Sequence, residues 1–354
     1  MKLRTEILGD ARRVVVKLGT GLLTDAQHGL APAQVERLVG QIAALHRLKR
    51  QVIVVTSGAI GAGMAGLGLK QRPKKLDELQ AAAAVGQSKL MAVYDEIFGR
   101  SGIHVAQVLL THDDLKNRTR HLNARNTLET LLARGVVPII NENDTVSVDE
   151  IKFGDNDRLA ALAATLIDAD LLVILSHVEG LLEGPQGNVI ASVPEITADI
   201  EKLAGGTDRE TSVGGMKSKI EAARIVTRAG IPMIIASGER EAVLADALAG
   251  RDVGTIFFPR AGKLASRKRW IAFFQRAAGV LRVDDGAKQA LCAGEKSLLA
   301  KGIVAVEGEF QEGDVVSIRD TRDMEFARGL TKVGAEGLET ATGVVVHRDD
   351  LVIL

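Results

Sequence analysis

Two lysines stand where a chain could bring a phosphate to rest. Lys17 sits just after the first apolar run, in V-V-V-K-L-G-T-G, and Lys219 ends G-G-M-K-S-K over residues 214–219. A lysine at a strand's C-terminal end, with Gly19 and Gly21 after it, lies where open α/β sheets bind ligands. The glycines let a phosphate approach backbone N–H groups, and the ammonium neutralises it as a point charge. An ordinary strand-end lysine with turn glycines is the alternative. Around Lys219, Gly214 and Gly215 precede a helix start, and Met216, Lys217, Ser218 and Lys219 open it. Lysines in a first turn have the wrong sign for the helix dipole. The conflict resolves if a phosphate chain lies there; a solvated lysine pair after a flexible loop is the alternative.

Three further motifs add anion donors and carboxylates. The second strand ends in V-V-T-S-G-A-I-G-A-G, where Ser57, Gly58 and Ala59 form a tight strand-to-helix turn whose N–H groups can hold an anion. The same stretch matches G-x-G-x-x-G at Gly61, Gly63 and Gly66. That fingerprint belongs on the first strand–helix turn, with an acidic strand end about 20 residues on, and neither condition holds here. A Walker A loop is absent from the sequence. Asn141-Glu142-Asn143-Asp144 follows a buried strand, where each polar group needs a partner. An Asp and an Asn together accept from an amine and donate to a carboxylate, which suits an amino acid's head group; an Asx-type turn is the alternative. In Gly154-Asp155-Asn156-Asp157 one aspartate serves as an N-cap, and two exceed what capping needs. The extra carboxylate would orient a lysine or hold Mg²⁺ through water. Lysines, anion turns and carboxylates at the ends of consecutive strands meet the needs of phosphoryl transfer, which are positioning and charge neutralisation.

Short apolar runs at 14–16, 52–55, 105–110, 136–140, 171–175 and 233–235 must carry these motifs. They are mostly unbroken, as strands buried on both faces of a parallel sheet are. Between them, 34–48, 77–98, 124–133 and 158–167 are long enough for crossover helices. The stretch 217–229 puts Ile220, Ala223 and Val226 on one stripe, a helical period. An α/β layered domain follows, to about residue 250. Residues 261–276 are basic and resemble a linker or domain edge. Glycine-broken β segments at 280–283, 302–306, 314–318 and 342–346 then suit a small β-barrel.

Composition sets outer limits. A chain of 354 residues suggests two domains, at about 100–200 residues each. Its 45 basic residues balance 45 acidic ones, which leaves no global attraction for nucleic acid or anionic membrane. The single cysteine, Cys292, rules out an intramolecular disulfide and a cysteine-based zinc cluster. No apolar run reaches the ~18 residues of a membrane span, and MKLRTEILGD has no apolar signal region. The expected location is cytoplasmic.

The ordered set V-V-K-L-G-T, V-T-S-G-A-I, N-E-N-D, G-D-N-D and G-G-M-x-x-K resembles the amino acid kinase family, in its glutamate-phosphorylating branch. H-L-N-A-R-N-T-L and V-H-R-D-D strengthen the resemblance, which covers essentially the whole chain. It implies a three-layer αβα sandwich with a mainly parallel sheet over 1–262, a linker at 263–276 and a PUA-like β-barrel at 277–354. The implied reaction is ATP-dependent phosphorylation of the L-glutamate γ-carboxylate, the first step of proline biosynthesis, with Mg²⁺ bridging the ATP oxygens. By the same resemblance, Lys17 and Lys219 flank the transferring phosphoryl group, Asp157 holds the lysines, and Gly58 and Ala59 supply backbone donors. Ser57, Asp144 and Asn156 bind glutamate with Asn141 nearby. Lys17, residues Val213, Gly214, Gly215, Met216, Lys217, Ser218 and Lys219, and the pair Ser176-His177 contact ATP. No metal-ligating residue is implied. Feedback inhibition by L-proline and a homo-oligomer are implied as well. A γ-carboxylate with a pKa near 4.3 is already ionised at neutral pH, so no general base is expected.

The sequence departs from the family at three places. Ser176-His177 stands for Thr-Asp, 181–185 replaces a loop with Tyr and Asp-Pro, and Ser212-Val213 stands for Gly-Thr. All fall on the expected nucleotide side. A family member acting on another carboxylate or phosphate acceptor is the nearest rival reading. RNA binding through the C-terminal module is a rival of another class. Its footprint would be Arg267, Lys268 and Arg269 beside Trp270, in a chain with 3% aromatic residues and few stacking platforms.

Overall fold

Each apolar run of the first 250 residues becomes a strand, and the strands join in one eight-stranded sheet. The structure is a computed structural model that describes residues 2–25, 29–69, 71–146, 156–184, 187–204, 215–259, 266–294 and 296–354. The strands are β1 (Arg13–Leu18), β2 (Gln51–Val55), β3 (Val105–Leu110), β4 (Val137–Glu142), β5 (Leu171–Ser176), β6 (Ser192–Val193), β7 (Met233–Ser237) and β8 (Thr255–Phe257). They lie in the order β3-β4-β2-β1-β5-β7-β8-β6. Every pairing is parallel except β7 with β8. The strands β6 and β8 escaped sequence reading because two or three residues show no period. From β1 the chain builds outward on one side, then returns at β5 to the other. That reversal puts a ligand crevice at the C-terminal end of β1, where Lys17 stands.

Alternation decides which face each side chain takes. Val14, Val16 and Leu18 join a core with Leu38 and Ile42 of the helix Pro32–Arg47 and with Leu90, Tyr94 and Phe98 of the helix Leu76–Gly99. Val15 and Lys17 take the opposite face, where the helix Asp157–Leu166 packs on β1. All of that helix but Arg158 is buried, and its alanines let neighbours come close. The helix Met216–Arg228 lies against it and buries Lys219 along with Ile220, Ala223 and Val226. Sheet and two helix layers make the expected three-layer αβα sandwich. The helix expected at 124–133 begins earlier, at Arg118, because the Asn117 side chain accepts from Arg120 N at 3.1 Å and caps it.

The chain divides into two compact units, Met1–Gly262 and Lys263–Leu354. In the second, the expected barrel is a six-stranded mixed sheet of order β10-β14-β13-β12-β9-β11. Its strands are β9 (Gly279–Val283), β10 (Leu298–Leu299), β11 (Ile303–Glu307), β12 (Val315–Arg319), β13 (Glu325–Thr331) and β14 (Val344–Ile353). Leu281, Phe310, Ile318 and Val346 centre its core. Within the stretch read as a linker, Ser266–Arg269 and Trp270–Phe274 are helical, and Ile271 and Phe274 are buried. Arg267 pairs with Asp350 at 2.6 Å and Arg269 is buried. The basic–aromatic cluster therefore lies on a helical element with Arg269 packed inward and Arg267 exposed. Among the described residues, no helix is long and apolar enough to cross a membrane.

The G-x-G-x-x-G stretch has a packing role. The helix Ala59–Gly66 crosses Leu76–Gly99 so closely that a Cβ at Gly63 would collide with the Ala82 carbonyl, and one at Gly86 with the Ala59 carbonyl. Both clashes are with backbone, which cannot rotate away. We expect Gly86→Ala to cost about 1–3 kcal/mol, as overpacking does. In contrast, Gly40→Ala, where nothing lies within 4 Å, should be neutral or gain up to ~1 kcal/mol of helix propensity. Urea unfolding of both variants checks this; equal effects would rule out the close crossing as the constraint.

Candidate active site

Lys17, Asp157 and Lys219 meet behind the C-terminal end of β1. Asp157 opens its helix, with Asn156 at the N-cap. Its Oδ1 lies 2.6 Å from Lys17 Nζ, and its Oδ2 lies 3.0 Å from Lys219 Nζ. Ser218 Oγ donates to the same Oδ2 at 3.1 Å and is also 2.8 Å from the Gly215 carbonyl. Asp157 is wholly buried and each lysine is 4% exposed. Burial alone would raise the Asp157 pKa. The two ammonium groups reverse that and hold the carboxyl well below its ordinary value. It therefore remains ionised, and the three groups sum to one positive charge.

The lysines of 214–219 part company. Lys217 is exposed and Lys219 is buried, because residues two apart on a helix do not share a face. Gly215 caps the helix in an extended conformation with no side-chain cap. The orphan N–H groups of this first turn stay open to an anion. Met216 is half-buried there. Val213 and Gly214 lie outside the described residues, as do Gly154, Asp155, Pro185 and Ser212.

A cleft opens beside this charge cluster. It is lined by Thr20, Ser57, Gly58, Ala59, Asn141, Asp144 and Asn156, with Glu142 and Arg72. Gly58 is the N-cap of the Ala59–Gly66 helix at φ 93°, a left-handed conformation that glycine adopts without strain. This turns the helix's first N–H groups toward the cleft. Ser57 is buried, and among the described residues its Oγ has no hydrogen-bond partner. The N-E-N-D motif divides its labour. Thr145 Oγ1 donates to Asn143 Oδ1 at 2.6 Å in a local turn, while the buried Asn141 turns inward. Asn156 and Asp157 are consecutive, so a single backbone step joins the cleft to the paired lysines.

Polar side chains that sequence reading missed hold the cleft in shape. Asn156 Nδ2 donates to the Thr56 carbonyl at 2.5 Å and to Asn141 Oδ1 at 2.7 Å. Asn141 Nδ2 donates to Gln87 Oε1 at 2.8 Å. Thr56 Oγ1 and the Tyr94 hydroxyl are 2.7 Å apart. Burial, opposed in part by that hydrogen bond, raises the Tyr94 pKa, so the phenol is neutral. Gln87 and Tyr94, two turns apart on an alanine-rich helix, signal nothing by period, and Arg72 sits in Q-R-P-K-K, which reads as a solvated run.

Ser176 ends β5 beside β1, where Gly19 N donates to the Leu175 carbonyl at 3.1 Å. His177 is exposed, and its Nδ1 lies 3.0 Å from Glu239 Oε1. Its ring lies over Gly21, leaving no room there for a Cβ.

Comparison with known proteins places the chain in a family. The amino acid kinase family matches residues 12–237, and the PUA domain matches residues 279–348. A glutamate 5-kinase of Moorella thermoacetica is 46% identical, over 98% of this chain and 97% of its own length. One from Pelobacter propionicus is 43% identical, over 99% and 100%. Among solved structures, a carbamate kinase from Giardia lamblia bound to AMP-PNP has a TM-score of 0.50 at 18% identity. It covers 71% of this chain and 99% of that one, a likeness of fold alone.

Removing the central carboxylate should be costly. Asp157→Asn leaves two buried ammonium groups facing each other without a counter-charge, so we expect a loss of about 3–5 kcal/mol in urea unfolding. The pH dependence has a definite sign. The folded-state pKa is depressed, so the pair's contribution is complete above the ordinary aspartate value of 3.8 and fades as pH falls below it. The gap between wild type and variant should thus narrow in acid. A gap that stays constant from pH 6 to well below 3.8 would deny the charge a stabilising role.

Proposed function

For a chain that belongs to the amino acid kinase family, in its glutamate 5-kinase branch, we propose transfer of the ATP γ-phosphoryl group to the γ-carboxylate of L-glutamate. The observation that carries this reading is the buried Lys17–Asp157–Lys219 cluster, one residue away from a polar cleft lined by Ser57, Asn141, Asp144 and Asn156.

The γ-carboxylate attacks the γ-phosphorus already ionised. A P–O bond forms to the carboxylate oxygen, the bond to the β-phosphate bridge breaks, and ADP leaves. No proton has to move. Lys17 and Lys219 neutralise the phosphoryl group from two sides, and their surplus positive charge is satisfied when it is present. Asp157 keeps them apart and in register; its depressed pKa prevents it from acting as a general acid. The N–H groups of Gly58 and Ala59 donate to the transferring oxygens. Ser57, Asn141, Asp144 and Asn156 receive the glutamate, with Asp144 suited to its ammonium.

To the nucleotide we assign Ser176, His177, Gly215, Met216, Lys217 and Ser218, and, from the sequence motif alone, Val213 and Gly214. Mg²⁺ would arrive with ATP as part of the substrate and would offset phosphate charge, and no protein residue is assigned to it. Inhibition by L-proline and assembly of several copies belong to this reading, as does a cytoplasmic location. Added proline in the assay below, and sedimentation, test the first two.

Purified protein with Mg-ATP, L-glutamate and hydroxylamine should yield γ-glutamyl hydroxamate, which traps the labile acyl phosphate. Faster product formation from another acceptor would overturn the substrate assignment. In the same assay Lys219→Ala should lower kcat at least ~100-fold, the scale of losing one charge-stabilising donor. Its unfolding should stay cooperative, since Lys17 still pairs with Asp157. A near-normal kcat would take Lys219 out of the transfer step.

A further inference from the structure

A carbonyl oxygen can only accept, and that fact orients three buried amides in series. The Thr56 carbonyl, at the end of β2, requires that the Asn156 atom 2.5 Å away be Nδ2. The same Nδ2 then faces Asn141 at 2.7 Å, so Asn141 must present Oδ1. Asn141 is left with Nδ2 toward Gln87, at 2.8 Å, and Gln87 must answer with Oε1. Reversing any one amide would set like against like, two donors or two acceptors. Both hydrogens of Asn156 Nδ2 are now used. The polar atom it has left for the cleft it lines is Oδ1, an acceptor.

Gln87 closes the series from outside the cleft. It lies on the helix Leu76–Gly99 and is 9% exposed. Among the described residues, its Nε2 has no hydrogen-bond partner. An amide that leaves its own donor buried and unmatched has been turned to suit its neighbour. Its position is set closely as well. The preceding residue, Gly86, packs on the backbone of Ala59 and Gly63, in the helix that starts at the anion-binding turn. Helix crossing and amide series therefore meet at adjacent residues.

We propose that Gln87 is a positioning residue for the substrate's ammonium group. It touches no substrate. Through Asn141 it holds Asn156 with Oδ1 facing the cleft, so that Asn156 and Asp144 both present acceptors where the α-ammonium of an amino acid sits. This rests on the function proposed above. The geometry also assigns a consequence for selectivity. An acceptor oxygen held at Asn156 favours a cation at that point, and a substrate lacking the ammonium forfeits that hydrogen bond.

The test compares Gln87→Met, which fills the same space but has no acceptor oxygen, with Gln87→Glu, which keeps one. The hydroxamate assay reads KM for each substrate and kcat, and thermal unfolding checks the fold. Gln87→Met should raise the KM for L-glutamate about tenfold or more, as expected when a charge-assisted hydrogen bond is lost. Its KM for ATP should stay within about twofold of wild type, and Gln87→Glu should return the glutamate KM to within about threefold. A Glu variant no better than the Met variant, or equal shifts in both KM values, would overturn the proposal and leave a packing role. Should the Met variant not fold, Gln87→Glu decides alone: a near-normal glutamate KM supports the proposal and a tenfold rise overturns it. If wild-type protein forms no hydroxamate from glutamate, the proposed function fails, and the role of Gln87 with it. Activity in wild type with no selective effect in the variants sinks only the second.

Discussion

Burying two ammonium groups and one carboxylate together constrains this fold more than any other interaction in it. Each charge taken out of water costs several kcal/mol, and only close pairing with well-placed hydrogen bonds offsets that. Asp157 can face both lysines because three elements converge. Lys17 must fall on the alternation face of β1 that meets the Asp157–Leu166 helix. Asp157 must be the first residue of that helix. Lys219 must fall on the buried stripe of Met216–Arg228. A register slip of one residue in β1 would turn Lys17 into the aliphatic core on the other side. The charge cluster is thus paid for by the sheet and helix packing around it.

That constraint explains why the neighbouring helix is so poor in side-chain volume. With Asp157 pinned between two lysines, the rest of Asp157–Leu166 must lie close to β1 and β5, and its run of alanines permits this. The same economy recurs where Gly63 and Gly86 meet. In both places small residues bring backbone close to backbone, and the polar groups at the ends of those contacts inherit the precision. Sites carried on packed helices and strands hold their geometry better than sites on loops, and here the main polar contacts come from element termini.

Much of this was legible in the sequence, for a physical reason. Strand-end lysines, anion turns and helix-start carboxylates are local patterns, so the motifs around Lys17, Gly58, Asn141 and Asp157 could be read where they stand. Long unbroken apolar runs located six strands of the parallel sheet. What local pattern does not encode is which distant groups meet. Lys219, four residues before Ala223 and seven before Val226, falls on the apolar stripe of its helix, but nothing in the residues around it says that it meets Asp157. Gln87, Thr56 and Tyr94 were missed because a buried polar network has no period. The helical turns at 266–274 were not foreseen because three consecutive basic residues outweighed W-I-A-F-F, whose apolar side chains pack. β13 was missed because Arg328 and Gly329 interrupt its apolar pattern.

The two kinds of buried polarity in this site do different work. The lysine–aspartate cluster carries net charge and matches a phosphoryl group that arrives and leaves with charge. The amide series carries none. Its members are neutral, their orientation is set by one main-chain carbonyl, and they fix where an acceptor points. A carboxylate substrate ionised at neutral pH makes no demand for proton transfer, so neither system needs a group poised to titrate. Tyr94 is held neutral and Asp157 is held ionised. Reactivity then depends on how well the fold fixes charge and hydrogen-bond polarity before the substrates enter, which is the form of catalysis that phosphoryl transfer rewards.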